Sequence, residues 1–172
     1  MPIIKRQITV AELLIALALI LILAAVGSWA LNPIERLKQG RDNQRISDLE
    51  NLRKAVDLAI SEGVPLTKTM GVPASSVSVG VTQAVDGTGW VGMNLSKQIN
   101  TLPIDPSNSK TFIDVLSNAV TGEYQFISDG IYYVLRTHLE AEANKDYYSK
   151  DGNDNSWYEI GTAPGLSTYF GL

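Results

Sequence analysis

The sequence predicts an α+β protein: one long N-terminal helix, apolar in its first half and amphipathic in its second, packed on a small antiparallel β-sheet. Three observations predict it. From Leu13 to Val26 no polar side chain occurs. From Ile34 to Ile60 apolar residues return at helical spacing among mixed charges. From Tyr124 onward the period shortens to two, with Asp and Gly marking the turn.

The apolar segment comes first. Met1 to Gln7 is a short leader carrying Lys5 and Arg6, and residues 13–31 are mostly Leu, Ile and Ala. That run crosses most of a bilayer, which needs roughly 20 apolar residues, and only a helix satisfies its own backbone in lipid. Three readings of it stand side by side. It is a plain membrane anchor, or a secretory signal cut after Ser28-Trp29-Ala30, or an anchor cut before the apolar run. The basic residues do not choose, since Lys5 and Arg6 precede the span while Arg36, Lys38, Arg41 and Arg45 follow it. Glu12 is more informative. A carboxylate at the edge of an apolar span is costly and usually functional, although one turn from the leader it also reaches the headgroups.

The amphipathic half follows. Asn32 suits a helix cap and Pro33 a first helical turn. Ile34, Leu37, Leu49, Leu52, Val56, Ala59 and Ile60 form one apolar stripe, flanked by Ile46. Glu35, Arg36, Lys38, Arg41, Asp42, Arg45, Asp48, Glu50, Arg53, Lys54 and Asp57 read as a solvated face. Gly63 and Pro65 end the helix. Residues 8–32 and 33–62 together make a helix of 55 residues, about 80 Å long, kinked or loosened near Gly27 and Pro33.

Residues 63–172 form the globular part. Thr67 to Thr82 reads as a loop with one short strand at residues 77–81, and Trp90 to Asn100 as a short helix holding Leu95 and Ile99. Asp86-Gly87-Thr88-Gly89 is a turn. Leu102-Pro103-Ile104-Asp105-Pro106 is extended, because each Pro biases its predecessor away from helix. Tyr124 to Ile127, a turn at Ser128-Asp129-Gly130, and Ile131 to Leu139 predict a hairpin; Trp157 to Ile160 is a third strand. Alternation puts one member of each strand's aromatic pair in the core and leaves the other exposed.

Composition excludes several classes. The chain has a net charge of −4 and no basic stripe, so nucleic-acid binding by the globular part is disfavoured. It has no cysteine, hence no disulfide framework or thiolate metal site. No nucleophile elbow, phosphate loop or dinucleotide fingerprint occurs, and no enzymatic activity is expected. His138, the lone histidine, reads as structural. Asn94-Leu95-Ser96 fits a glycosylation sequon, a short pattern that arises often by chance. Asp146, Asp151, Asn153, Asp154 and Asn155 supply hard oxygen ligands of the kind calcium takes, without the spacing of an EF-hand.

Lys5-Arg6-Gln7-Ile8-Thr9-Val10-Ala11-Glu12 resembles the processing motif of type IV pilins and type II secretion pseudopilins. Gln7 stands where that family prefers Gly, and Ile8 where it prefers Phe. Leu102-Pro103-x-Asp105-Pro106, Tyr124-Gln125-Phe126 and the acidic stretch from Tyr148 to Asn155 resemble the later parts of the same family. The resemblance implies a pilin fold and removal of leader 1–7 by a prepilin peptidase. It also implies methylation at Ile8, and Glu12 as the fifth mature residue, paired in assembly with the Ile8 amine of a neighbour. It implies further a homo-oligomeric helical filament, an inner-membrane assembly platform, a separate motor ATPase, and calcium in the acidic loop. The precursor would sit in the lipid of the cytoplasmic membrane as a single pass; the filament would be extracellular and serve adhesion, motility or DNA uptake. The alternatives are a pseudopilin of a type II secretion system, and a monomeric membrane-anchored or secreted binding module.

Overall fold

The computed structural model describes residues 9–69, 72–78, 80, 82–150 and 156–172, with the side chains of residues 28–31 left aside. The chain is α+β, with an apolar N-terminal helix and a small antiparallel sheet. It divides into two units, residues up to Arg36 and Leu37–Leu172.

Helix α1 spans Val10–Leu31. It runs unbroken through Gly27, so the loosening expected there is absent. The break falls at Asn32, which adopts left-handed backbone angles (φ 33°, ψ 66°). A short amide side chain tolerates that conformation. Asn32 Oδ1 then accepts from Glu35 N at 3.4 Å, so one residue ends α1 and caps the next helix. Helix α2 spans Pro33–Ser61. Val10–Gly27 is long and apolar enough to cross a membrane by length and composition.

Within the second unit, α2 buries Leu49, Leu52, Val56 and Ala59, as the stripe predicts. Ile34, Leu37 and Ile60 do not belong to that buried face and are exposed. Its N-terminal continuation is instead charged: Asp42 and Arg45 are fully buried, contrary to the expected solvated face.

Four strands make the main sheet, in the order β1 (Ala74–Ser75), β4 (Gln125–Ser128), β5 (Tyr133–Thr137), β6 (Tyr158–Gly161), all antiparallel. A separate hairpin pairs β2 (Thr111–Ile113) with β3 (Ala119–Thr121). The strand expected at residues 77–81 lies instead at β1: Val77 and Ser78 form a turn, and Val79 and Val81 lie outside the described residues. Residues 90–100 contain turns rather than a helix, although Leu95 is buried in the core and Ile99 packs against it. The β2–β3 hairpin was not anticipated, because its segments alternate weakly and are half exposed.

The core lies between α2 and the sheet. Leu49, Leu52 and Val56 meet Phe126, Tyr133 and Leu135, with Trp90, Met93 and Leu102 filling the side. Tyr124 Oη donates to Asp48 Oδ2 at 2.9 Å, and Tyr133 Oη to Asp57 Oδ1 at 2.6 Å. Each phenol spans the core and finds an acceptor on α2 that the sequence placed on its wet face.

Every residue of β5 is buried, so the sheet's outer side is covered too. Ile127, Val134 and Leu166 form a second cluster with Phe170 against it. Tyr132 is half-buried under Tyr169, with ring centres 5.3 Å apart. Trp157 is half-buried and lies within 3.6 Å of the His138 ring centre, with the Arg136 guanidinium 4.3 Å from its own. The aromatic residues expected to stand free on the sheet are therefore partly covered.

Candidate functional site

Two constellations stand out, one in each unit. The first is the start of α1. Thr9 Oγ1 accepts from Glu12 N at 3.2 Å and donates to Glu12 Oε2 at 3.0 Å; Thr9 N donates to the same Oε2 at 2.8 Å. This is a reciprocal capping box. It fixes the carboxylate beside the first turn, where the backbone N–H groups favour negative charge. Past Glu12 no ionisable residue follows as far as Gly27, and every large apolar side chain from Val10 to Val26 is more than half exposed. A surface of that kind suits lipid or the apolar faces of other helices. Gln7 and Ile8 lie outside the described residues.

The second constellation is an ionic cluster inside the globular unit. Arg45 reaches from α2 to Asp105 with two parallel bonds, Nε to Oδ2 at 2.7 Å and Nη2 to Oδ1 at 3.0 Å. Its Nη1 contacts Asp42 Oδ1 at 2.8 Å and Glu140 Oε1 at 2.7 Å. Arg41 holds the same Glu140 from outside, Nε to Oε1 at 2.8 Å. Asp42 Oδ2 accepts from Glu140 N, Ala141 N and Asn144 Nδ2 at 2.8–3.1 Å. Phe112 of the small hairpin covers Arg45, its ring centre 4.4 Å from Cζ.

The planar guanidinium fork suits this bidentate role, which a lysine does not fill. Burial opposes the Arg45 charge, and the carboxylates of Asp105 and Glu140 outweigh it, holding its pKa above the usual value. Burial likewise opposes ionisation of Glu140, and the two arginines outweigh it, holding its pKa below the usual carboxylate value. Gly122 closes the site: a Cβ there would strike Ser107 O and come within 2.9 Å of Asp105 Oδ1. The cluster joins α2 to the loop at Asp105 and to the segment after β5.

Sequence reasoning missed it, yet a signal was present. Asp42, Arg45, Leu49, Leu52, Val56 and Ala59 are spaced 3, 4, 3, 4 and 3 residues apart. The two charges therefore continue the apolar stripe, and their place on it marks them as buried.

Asp146 is the one member of the expected calcium set among the described residues. Its Oδ2 accepts from Lys150 Nζ at 2.9 Å on the exposed surface. Asp151, Asn153, Asp154 and Asn155 lie outside the described residues, and among those described no group of three or more acidic or histidine side chains holds a metal geometry.

Compared with protein-family models, with curated proteins and with solved structures, the chain matches none.

Proposed function

We propose that the chain is a structural subunit of a type IV pilin-like filament, with no catalytic activity of its own. It is made as a single-pass precursor in the cytoplasmic membrane. After a prepilin peptidase removes Met1–Gln7, it polymerises through the apolar helix into an extracellular fibre serving adhesion, motility or DNA uptake. The assembly platform and the motor ATPase are separate proteins. The observation that carries this reading is α1, a helix apolar on every side whose single charge, Glu12, sits fixed at its start. In lipid one such helix is satisfied alone; in a fibre a bundle of them takes the place of lipid. There the Glu12 carboxylate beside a neighbour's Ile8 amine rewards one axial register, since an unpaired buried charge is expensive.

A second reading is favoured by the Thr9–Glu12 capping box, which gives Glu12 a use within its own chain: a monomeric membrane-anchored module. Two variants separate the readings. Glu12→Gln, expressed beside wild type in native cells, is expected to be excluded from filaments. Thr9→Ala loses the cap, worth about 1 kcal/mol, but keeps the carboxylate and is expected to assemble. Equal incorporation of Glu12→Gln and wild type would sink the registry role. A pseudopilin of a type II secretion machine shares all these features; secretin genes beside this one would favour it over a surface pilus.

Calcium in the loop from Asp146 to Asn155 belongs to the same proposal. A ligand that binds only the folded state stabilises it, by about 2.7 kcal/mol at a hundredfold excess over Kd. The expected result is a melting temperature that rises on adding calcium and falls with a chelator; an unmoved melting temperature contradicts the site.

A further inference from the structure

We propose that Asn94 is the acceptor of an N-linked oligosaccharide, which rests on the reading that the globular unit is exported. Asn94-Leu95-Ser96 is the one sequon in the chain. Sequons arise by chance, so position and geometry decide. Leu95 is fully buried in the core, while Asn94 and Ser96 on either side of it are exposed. The tripeptide is thus anchored at its middle and presents both reactive side chains outward.

The side-chain geometry is specific. Asn94 Oδ1 accepts from Ser96 N at 3.2 Å and from Ser96 Oγ at 2.7 Å. A backbone N–H only donates, so the atom facing it is the oxygen, and Nδ2 is turned to solvent. Among the described residues Nδ2 has no acceptor. A free amide nitrogen is a poor nucleophile because its lone pair is delocalised into the carbonyl. Hydrogen bonds donated to Oδ1 draw charge onto oxygen and acidify Nδ2–H, which eases removal of its proton.

The neighbouring loop supplies a comparison within the same molecule. Asp86 pairs with Asn94 across an antiparallel bridge. Its Oδ1 accepts from Thr88 N at 3.0 Å and Thr88 Oγ1 at 2.6 Å, the same turn. There the residue is a carboxylate and offers no nitrogen. The same turn closes at Asp105, Asp114 and Asp129; among the described residues the added hydroxyl bond occurs at Asp86 and Asn94, and of these Asn94-Leu95-Ser96 carries the amide of an acceptor.

The donor class is an oligosaccharide linked to a membrane lipid through pyrophosphate, handled by an oligosaccharyltransferase. Asn94 Nδ2 attacks the anomeric carbon. The N–C bond forms as the bond from that carbon to the pyrophosphate oxygen breaks. The electron pair leaves with the lipid pyrophosphate, and the amide proton passes to a base of the transferase. Nothing is oxidised or reduced.

The test is peptide mapping by mass on protein from native cells, with the N-terminus read on the same sample. The expected result is a glycan mass increase on the peptide holding Asn94, lost in Asn94→Gln and Ser96→Ala and retained in Ser96→Thr. An unmodified Asn94 on a chain beginning at Ile8 overturns the glycan and leaves the filament reading standing. A glycan on a chain still beginning at Met1 supports the site and contradicts the filament reading. An unmodified Asn94 on a chain beginning at Met1 overturns both.

Discussion

Replacing Arg45 with alanine is expected to destabilise the globular unit by about 3–5 kcal/mol, the usual effect of removing one partner from a buried ion pair. Asp105 would lose both parallel bonds and keep the Ser107 amide at 2.6 Å. Glu140 would retain only Arg41. Asp42 would suffer least, since the Glu140, Ala141 and Asn144 donors remain. At a few degrees per kcal/mol, the melting temperature falls by about 10 °C. Thermal denaturation of the full chain in mild detergent checks this. The double variant Arg45→Met with Asp105→Leu removes a charge of each sign together, and is expected to recover much of the loss. A change below about 1 kcal/mol in Arg45→Ala would mean that the cluster is hydrated in solution and does not hold α2 to the loop.

The same cluster marks the limit of what the sequence reveals. The apolar half of the long helix, the stripe from Leu49 to Ala59 and the pairing of residues 125–128 with 133–137 are legible, because each repeats a period set by backbone geometry. Glu12 is legible because one charge on an apolar background is conspicuous. Asp42 and Arg45 were obscured by the charges around them, and what buries them is far away in the chain. Asp105 lies 60 residues from Arg45, and Glu140 lies 99 residues from Arg41. Residues 64–104 follow no period: Trp90, Met93, Leu95 and Leu102 enter the core from turns fixed by single hydrogen bonds, such as Trp90 Nε1 to Pro103 O at 3.1 Å.

Acid is expected to weaken the fold from the pH at which an unfolded histidine begins to bind a proton. Burial pushes His138 down to about 4; the Asp114 carboxylate opposes this, while Arg136 and Arg45 add to it. The ring stacks on Trp157, and Nδ1 lies 3.1 Å from Ser156 O. Well above pH 6.5 the imidazole is neutral in both the folded and the unfolded chain, and stability is at its full value. Between 6.5 and about 4 the unfolded chain binds a proton that the folded one refuses, so stability falls as pH falls. The loss is about 2 kcal/mol by pH 5 and about 3 kcal/mol once the folded-state pKa is passed. Below the ordinary carboxylate range Glu140 adds a second loss, since its folded pKa is depressed. His138→Phe keeps a ring against Trp157 and cannot titrate. Its unfolding midpoint is expected to stay nearly level between pH 7 and 5 while that of wild type drops; parallel slopes in the two proteins would contradict the assignment.

Arg45 and His138 lie in the globular unit, which a membrane-anchored module and a filament subunit would share. In the filament we propose, α1 leaves the membrane to become the core of a fibre, and the mature N-terminus records that step. The N-terminal residue and mass of the native protein should be read separately in sheared surface material and in membranes. A chain beginning at methylated Ile8 is expected in the sheared fraction, with Gln7 accepted by the peptidase. A chain beginning at Leu31, or an intact Met1 confined to membranes, would contradict the filament.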